Sequence, residues 1–290
     1  MVWGLFLFSL VASVAQSTLM NEFSKRRMQS SCDLYLYNLI TCAVAAVAML
    51  LYGGIPQVSL FTLLLGAAFG LATNLGAVFK LLALRSGAMC YTLLIITAQM
   101  MIPALSGALV WDEPLSALKI LGALLMFVSV ALSIEYKAEK KATLRWFLYC
   151  VAALLCSGSV GVMQKVLGYS DYSQEQNGFL LVAMAVSALF ALGSFLYRRY
   201  GKGEVPTLKL LSAATPAAAI NGVCMVVCNV VNLYLAAVMP SILFFPLFNG
   251  GALLLLLTAV AFLVFRERLN RVQTVGFLIG VAAVFLLCLG

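Results

Sequence analysis

Polar side chains recur at helical spacing inside the long apolar runs of this chain. In the first run, Ser9, Ser13 and Gln16 follow one another at intervals of four and three residues. In a later run, Asn229 and Asn232 are three residues apart. Residues three or four apart share one face of an α-helix. Because a polar side chain is costly in lipid, it usually faces a cavity or another helix. The pattern therefore indicates polar surfaces inside a helical membrane protein.

Nine residues are the candidates for contact with a small substrate. They comprise amides within apolar runs, two aromatic residues and one lysine: Gln16, Asn74, Tyr91, Gln99, Asn229, Asn232, Phe245, Asn249 and Lys165. Amides carry both donors and acceptors, which suits a polar, uncharged ligand. The alternative is that these amides hydrogen-bond neighbouring helices and hold them together. The sequence leaves both interpretations open.

The aromatic and cationic candidates have more specific expected roles. Tyr91 and Phe245, in the fourth and ninth runs, would form an aromatic wall for a flat or cationic substrate, or pack in the core. Lys165 lies near the end of the sixth run, where a lysine commonly extends to the membrane interface. Its alternative role is to contact an anion at the mouth of a cavity.

The chain lacks the groups that enzymes and nucleotide-driven pumps use. It contains no histidine, so it has no imidazole base and no serine–histidine pair. No GxxxxGK[ST] phosphate loop occurs. None of the eight cysteines forms a CxxC pair, so nothing indicates a zinc site. We therefore expect no enzymatic activity, no catalytic residue, no cofactor and no metal.

Ten apolar runs occupy most of the 290 residues and define the class of protein. Hydrophobic residues make up 64% of the chain and charged residues 10%, whereas soluble domains are roughly a quarter charged. Roughly 20 apolar residues cross a bilayer as a helix. The runs are residues 2–21, 34–52, 59–84, 88–111, 115–134, 146–165, 178–197, 210–236, 240–265 and 272–289. We predict an all-α polytopic protein of the cell membrane with ten transmembrane helices.

The net charge of +8 comes from short loops and not from a polar domain. A nucleic-acid partner is therefore not expected, and the lipid bilayer is the expected surrounding. The loops that follow odd-numbered runs are predicted to lie on one side of the membrane, and almost all Lys and Arg residues lie on that side. Lys119 and Lys165 lie on the other side. The positive-inside rule then places the odd loops in the cytoplasm and both termini outside. Trp3 and Trp146 open the first and sixth runs, where they suit aromatic anchors at the interface.

Both halves of the chain end with the same pattern. Glu113 and Gly122 recur 154 residues later as Glu267 and Gly276. The predicted organisation is a first five-helix repeat over 1–135, a charged linker over 136–145 and a second repeat over 146–290. Because five crossings end on the opposite side, the second repeat is expected to be inverted. Each glutamate is expected to cap the N-terminus of the helix that follows it.

These residues resemble the EamA branch of the drug/metabolite transporter superfamily. The residues that carry the resemblance are Ala83-Leu84-Arg85-Ser86-Gly87-Ala88, Pro103, Glu113, Leu115 and Gly122, then Ala236, Pro240, Glu267, Leu269 and Gly276. The resemblance covers essentially the whole chain. It implies a transporter whose helices 1–4 and 6–9 surround a central cavity, with helices 5 and 10 to one side.

The distribution of carboxylates favours one class of substrate. No Asp or Glu lies in the middle third of any predicted span. The small multidrug-resistance relatives depend on a carboxylate halfway along their first helix, where this chain has the stretch from Ala12 to Gln16. We expect a secondary transporter for a small neutral or zwitterionic metabolite, such as an amino acid or nucleoside. It would work by alternating access, as a monomer or homodimer, with or without a coupling ion. The alternatives are a flippase for a lipid-linked substrate, a cation or drug exporter of the same superfamily, and a membrane partner that does not transport.

Overall fold

The computed structural model describes residues 2–27, 31–54, 56–86, 92, 95–96, 98–113, 116–133, 143–205, 208–252 and 271–289. All regular structure in these ranges is helical, with no strand among them. The predicted all-α class is therefore confirmed for the described residues. Their α-helices are α1 (Val2–Arg27), α2 (Ser31–Gly53), α3 (Leu60–Ser86), α4 (Met101–Val110), α5 (Ala117–Ser133), α6 (Leu144–Tyr169), α7 (Gln176–Leu196), α8 (Leu208–Val238), α9 (Ser241–Phe245) and α10 (Arg271–Leu289).

Five helical segments of the described chain are long and apolar enough to cross a membrane. They are Cys32–Gly53, Leu60–Leu84, Leu144–Tyr169, Ser173–Gly201 and Pro216–Val238. Shorter apolar helices of 10–17 residues are Val2–Gln16, Ala98–Val110, Ala117–Leu132 and Thr274–Leu289. These segments fall on the apolar runs of the sequence, because an uninterrupted apolar stretch satisfies its backbone internally only as a helix.

Hydroxyl side chains mark the starts of two of the long helices. Ser59 Oγ, just before α3, accepts a hydrogen bond from the Thr62 N–H at 3.2 Å. Thr143 Oγ1, just before α6, accepts one from the Trp146 N–H, also at 3.2 Å. A hydroxyl in this position satisfies a backbone donor that the first helical turn leaves unpaired. Local sequence therefore defines where both helices begin.

The two tryptophans that open the halves differ in environment. Trp3 is exposed, as an interfacial anchor requires. Trp146 is buried, and its indole N–H donates to Thr92 Oγ1 at 2.8 Å. The sequence-based interpretation of Trp146 as an interfacial anchor is therefore wrong. Its ring packs with Ala83 and Cys150 inside the protein.

Three residues with positive φ turn the chain after helices. Gly54 (φ 67°) follows α2, and Gly203 (φ 66°) follows the π-helical turn Tyr197–Gly201 that extends α7. Asp112 (φ 48°) follows α4 and, among the described residues, is the one residue other than glycine with a positive φ. The left-handed conformation is the common way to end a helix. At Asp112 it also sets the direction of the next residue, Glu113.

The described helices form two compact units that interleave the halves of the sequence. Unit 1 comprises Met1–Asn74 and Leu167–Tyr234, and unit 2 comprises Leu75–Val166 and Leu235–Gly290. Each unit therefore draws helices from both predicted repeats. The predicted repeats, 1–135 and 146–290, describe a duplication along the sequence, whereas the two units describe which helices pack together. The units therefore do not test the repeats, which stay a prediction.

Unit 1 contains two glycine contacts that repeat each other. A Cβ placed on Gly70 of α3 would lie 2.7 Å from the carbonyl oxygen of Ala183 and 3.2 Å from Cβ of Val186, both in α7. A Cβ placed on Gly222 of α8 would lie 2.7 Å from the carbonyl oxygen of Thr41 and 3.1 Å from Cβ of Val44, both in α2.

These two contacts involve corresponding positions of the halves. Gly222 lies 152 residues after Gly70, and Ala183 lies 142 residues after Thr41. Val186 follows Val44 by the same 142 residues. Glycine permits both close approaches because any side chain would meet a backbone oxygen. The contact of α3 with α7 thus has the same form as the contact of α8 with α2.

In unit 2, α5 and α10 pack side by side and antiparallel. A Cβ on Gly122 would lie 3.1 Å from the backbone nitrogen of Leu287, and the Ser129 hydroxyl donates to the carbonyl of Gly276 at 2.7 Å. Higher numbers in α5 thus meet lower numbers in α10. Gly122 and Gly276, which the sequence pairs as repeat partners, are both buried.

Alanine at either glycine of the two matched contacts should destabilise the protein. We expect Gly70→Ala and Gly222→Ala each to lower the free energy of unfolding by about 1–3 kcal/mol, because the added methyl group overpacks a helix crossing. Thermal unfolding of the purified protein in detergent measures the effect.

Gly193→Ala is the matched control for these substitutions. Gly193 also lies inside a helix, α7, but nothing lies within 4 Å of a Cβ built there. Alanine favours a helix by about 1 kcal/mol over glycine, so this variant should be as stable as the original or more stable. Equal effects at all three positions would contradict the close approach.

Candidate functional site

Two predicted polar faces meet along α1 and α8 in unit 1. Ser9 Oγ donates to Asn232 Oδ1 at 2.7 Å, and Ser13 Oγ donates to Cys228 Sγ at 3.4 Å. The pairing runs antiparallel, since the higher-numbered residue of α1 meets the lower-numbered residue of α8. The sequence placed Ser9 and Asn232 on polar faces, but it did not indicate that they bond each other.

Two further candidate amides are engaged within unit 1. Asn74 is buried, and its Nδ2 donates to the carbonyl of Gly70 at 2.7 Å and to Ser187 Oγ at 2.9 Å. Asn229 Nδ2 donates to the carbonyl of Met225, one turn earlier in α8, at 2.8 Å. Asn74 therefore joins α3 to α7, which is the interhelical role left open by the sequence. Ser187 was not among the predicted residues.

Three candidate amides have no hydrogen-bond partner in the described part of the chain. They are Gln16 in α1, Gln99 in the 3-10 turn before α4, and Asn249 in the π-helix Pro246–Ala252 that continues α9. Gln16 and Gln99 are half-buried, and Asn249 is exposed. An amide that is not engaged within the protein retains its donors and acceptor for a ligand. The structure thus separates these three from Asn74, whose two donors are in use.

The predicted aromatic wall has one described member. Phe245 is buried at the end of α9, where its ring centroid lies 5.0 Å from that of Phe244 in an edge-to-face arrangement. A Cβ on Gly161 of α6 would lie 2.7 Å from Phe245 Cε1 and 2.8 Å from Pro103 Cγ. Phe245 is therefore packed against α6 in this structure. Tyr91 lies outside the described residues, so the wall itself stays a prediction.

Glu113 is positioned by the way α4 ends. The N–H groups of Trp111 and Glu113 both donate to the carbonyl of Gly107, each at 3.2 Å. With Asp112 in the left-handed conformation, the chain folds back over the last turn of the helix. The Glu113 carboxylate then reaches the start of α9, where it accepts a hydrogen bond from the Ser241 N–H at 2.6 Å.

The same carboxylate forms a buried ion pair with Lys165 of α6. The side chain of Lys165 is 0% exposed and that of Glu113 is 9% exposed. Lys165 Nζ also donates to the carbonyl of Met239, at the end of α8, at 3.1 Å. Three places in unit 2 meet here: the turn after α4, the last part of α6 and the break between α8 and α9. We call Glu113, Lys165, Met239 and Ser241 the ion-pair cluster.

The ion-pair cluster changes two interpretations made from the sequence. Lys165 does not extend to the membrane interface, because its ammonium group is buried against Glu113, so that interpretation is wrong. Glu113 bonds the first turn of α9 and not that of the following helix, α5, so the expected cap is also reassigned. Substrate contact by Lys165 stays a prediction. The sequence did carry a signal for the pair. Glu113 follows the fourth apolar run and Lys165 ends the sixth, so the two opposite charges are predicted to lie on the same side of the membrane.

A small residue creates the space for the ion-pair cluster. A Cβ on Gly107 of α4 would lie 2.5 Å from Cβ of Ser241 and 2.6 Å from its Oγ. The backbone of α4 can therefore approach the start of α9 closely enough for the carboxylate to reach Ser241 and Lys165. A larger residue at 107 would separate these elements.

Unit 1 also contains a cavity of about 410 Å³. It lies between the loop after α2 and the turn before α7, and none of the nine predicted substrate residues lines it. Its polar lining residues are Gln57, Asp171, Gln174, Glu175 and Asn177. Glu175 is engaged there, since it accepts hydrogen bonds from the Ser59 N–H at 2.9 Å and from Ser59 Oγ at 2.8 Å.

The fold of the chain is shared with a solved structure. No known family profile matches the sequence, and no curated protein is similar to it. Among solved structures, the crystal structure of another protein superposes on this chain with a TM-score of 0.69. The match covers 98% of this chain and 96% of the other, at 16% sequence identity. The chain therefore has a fold that occurs, essentially complete, in another protein.

Removing either charge of the ion-pair cluster should strongly destabilise the protein. We expect Lys165→Met and Glu113→Gln each to lower the free energy of unfolding, with Lys165→Met costing about 3–5 kcal/mol because it leaves a buried carboxylate without its cation. The double variant should recover part of the loss, since neither charge is then left unpaired. Thermal unfolding in detergent measures all three variants.

Lys119→Met is the control for the loss of a lysine. Lys119 lies in α5 and is half-buried, so the same change of side chain there removes no buried ion pair. Its unfolding temperature should stay close to that of the original protein. If Lys165→Met behaved like Lys119→Met, the buried pair would have no energetic importance.

Proposed function

We propose that the chain is a ten-helix EamA-type member of the drug/metabolite transporter superfamily. In this proposal it is a multi-pass protein of the cell membrane that moves a small neutral or zwitterionic organic metabolite by alternating access. The observation that carries the proposal is the matched pair of glycine contacts at Gly70 and Gly222. Corresponding positions of two halves make the same contact, as a duplicated five-helix unit requires.

The surface of the described helices supports a location in the membrane. Large apolar side chains are strongly exposed on several of them, for example Leu51 (84%), Leu109 (82%) and Phe285 (64%). Soluble monomers rarely expose contiguous apolar patches of more than a few hundred Å². Lipid provides a matching environment for such faces, and five helices have the length to span it.

The direction of the helices supports an inverted duplication. In the proposal, α5 and α10 are the last helices of the two repeats. Five crossings per repeat require them to run in opposite directions, and their contacts in unit 2 are antiparallel. Helices α2 and α7, which are also repeat partners, run antiparallel in unit 1, since a Cβ on Gly53 would meet Asn177 and the Cys32 N–H bonds Glu204. Inverted repeats are common in secondary transporters, which bind substrate near the midplane.

The free amides support a polar, uncharged substrate. Gln16, Gln99 and Asn249 lie within apolar helical segments and have no hydrogen-bond partner among the described residues. Carrying such groups in a membrane helix is costly unless they face water or a ligand. The two charges of the ion-pair cluster neutralise each other, so they add no net charge for a substrate to balance.

The proposal predicts that the free and the engaged amides respond differently to substitution. Gln16→Ala and Asn249→Ala should reduce uptake into proteoliposomes about 5- to 150-fold, since loss of a ligand hydrogen bond costs roughly 1–3 kcal/mol. Their unfolding temperatures should change little. A metabolite screen by thermal shift identifies the substrate first, because binding to the folded protein raises its stability.

Asn74→Ala is the control for this experiment. It removes two hydrogen bonds inside unit 1, so it should lower the unfolding temperature, while the protein that remains folded retains its affinity for the substrate. Normal uptake by both Gln16→Ala and Asn249→Ala would contradict the assignment of the substrate site. Absence of uptake by the original protein for every metabolite that stabilises it would contradict transport.

A further inference from the structure

The end of α7 forms a fixed turn on unit 1. The α-helix widens into the π-helix Tyr197–Gly201, and Gly203 then turns the chain with a φ of 66°. The N–H groups of Lys202 and Glu204 both donate to the carbonyl of Arg198, each at 3.2 Å. These backbone bonds hold residues 197–205, which we call the α7 exit turn, in a defined shape.

One of the cations in the α7 exit turn is used internally. Arg198 Nη1 pairs with Glu204 Oε1 at 3.1 Å, and its guanidinium lies 5.6 Å from the ring centroid of Tyr35 in α2. The other oxygen of Glu204 accepts a hydrogen bond from the Cys32 N–H at 3.1 Å. The single carboxylate of the turn is therefore fully engaged by Arg198 and by the start of α2.

The other two cations remain exposed. Arg199 and Lys202 have no ion-pair partner within the described part of the chain, and both side chains are exposed. The guanidinium of Arg199 lies 5.6 Å from the ring centroid of Tyr200. The α7 exit turn thus has a net charge of +2, and one of these charges lies beside an aromatic ring.

Two exposed tyrosines place this surface at the limit of an apolar segment. Tyr197 is 65% exposed and Tyr200 is 76% exposed, and both lie within this turn. The apolar segment Ser173–Gly201 ends within this same turn. Tyrosine is enriched where a helix passes from lipid to water, because its ring is apolar and its hydroxyl is polar.

The two ends of α7 differ in charge. The turn before α7 contains Asp171 and Glu175, and no Lys or Arg occurs between residues 166 and 197. The α7 exit turn contains three basic residues and one acidic residue. A membrane leaflet with anionic headgroups would attract the second end and repel the first.

We propose that the α7 exit turn binds the headgroup of an anionic phospholipid through Arg199 and Lys202, with Tyr197 and Tyr200 at the level of the glycerol backbone. The proposal rests on the membrane location in the proposed function. A phosphodiester offers the acceptor oxygens that a guanidinium and an ammonium group bind. Basic residues next to a membrane surface are drawn to anionic lipids with an energy equivalent to about a fivefold gain in affinity for each residue.

Lipid titration of the full chain in an uncharged detergent tests the proposal. Phosphatidylglycerol and phosphatidylcholine are added separately, and native mass spectrometry and thermal unfolding report binding. We expect phosphatidylglycerol to bind and to raise the unfolding temperature more than phosphatidylcholine does. The double variant Arg199→Gln/Lys202→Gln should bind phosphatidylglycerol about 30-fold more weakly.

Matched single variants separate this site from a general effect of charge. Lys202→Gln should weaken binding, whereas Lys119→Gln in α5, which removes the same charge elsewhere, should not. Tyr200→Ala should weaken it more than Tyr52→Ala, although Tyr52 at the end of α2 is 70% exposed. If the double variant does not fold, the comparison of Lys202→Gln with Lys119→Gln provides the same test.

Three results would overturn the proposal. They are unchanged phosphatidylglycerol binding by the double variant, equal binding of the two lipids by the original protein, and equal stabilisation by inorganic phosphate. None of these measurements uses a metabolite. Uptake of a metabolite without specific lipid binding would overturn the lipid site alone, and specific lipid binding without any uptake would overturn the transport function alone.

Discussion

Close approach of helix backbones at glycine is the contact on which the rest of the structure depends. Helices in lipid gain little from burying apolar side chains against each other, so their association relies on tight van der Waals packing and small residues. Gly70 meets a carbonyl of α7, and Gly222 meets a carbonyl of α2, with the same geometry. The recurrence of one contact at corresponding positions supports the proposed duplication, because a duplicated sequence would build related packing in both halves. It also explains why the compact units interleave the halves, since in unit 1 helices from each half pack on helices from the other.

Charge inside the protein departs from the proposed duplication. Glu113 has the repeat partner Glu267, but the position that corresponds to Lys165 is occupied by Glu22. The ion-pair cluster joins the turn after α4, in the first half, to α6 and to the break between α8 and α9, in the second half. The sequence has no corresponding pair, because both matching positions, Glu22 and Glu267, are acidic. A buried pair of this kind contributes less to stability than its Coulombic attraction indicates, because both charges lose their hydration. We infer that the pair favours one arrangement of these elements, because separating the two side chains inside the protein would leave each charge without its counterion.

The sequence predicts the helices far better than it predicts the partners of their side chains. The apolar runs indicate the spans, and Ser59 and Thr143 mark helix starts, because these signals are local. The pairing of Lys165 with Glu113 and of Asn74 with Ser187 depends on which helices are neighbours. The sequence puts the two charges at one predicted side of the membrane, but it does not show that their helices are neighbours. Asn74 and Gln16 look alike as amides in apolar runs, yet Asn74 bonds α7 and Gln16 has no partner in the described residues. Trp146 shows the same limit, because its position at the start of an apolar run predicted an interfacial ring, whereas the fold buries it against Thr92.

In the proposed function, two related halves cross the membrane in opposite directions. Gly54 after α2 and Gly203 in the α7 exit turn follow corresponding helices, and both have the left-handed conformation. An epitope inserted beside each glycine in turn, in intact cells and in permeabilised cells, reports on which side of the membrane it lies. We expect the epitope at Gly203 to be reached only after permeabilisation and the epitope at Gly54 to be reached from outside. Detection of both epitopes on the same side would contradict this expectation.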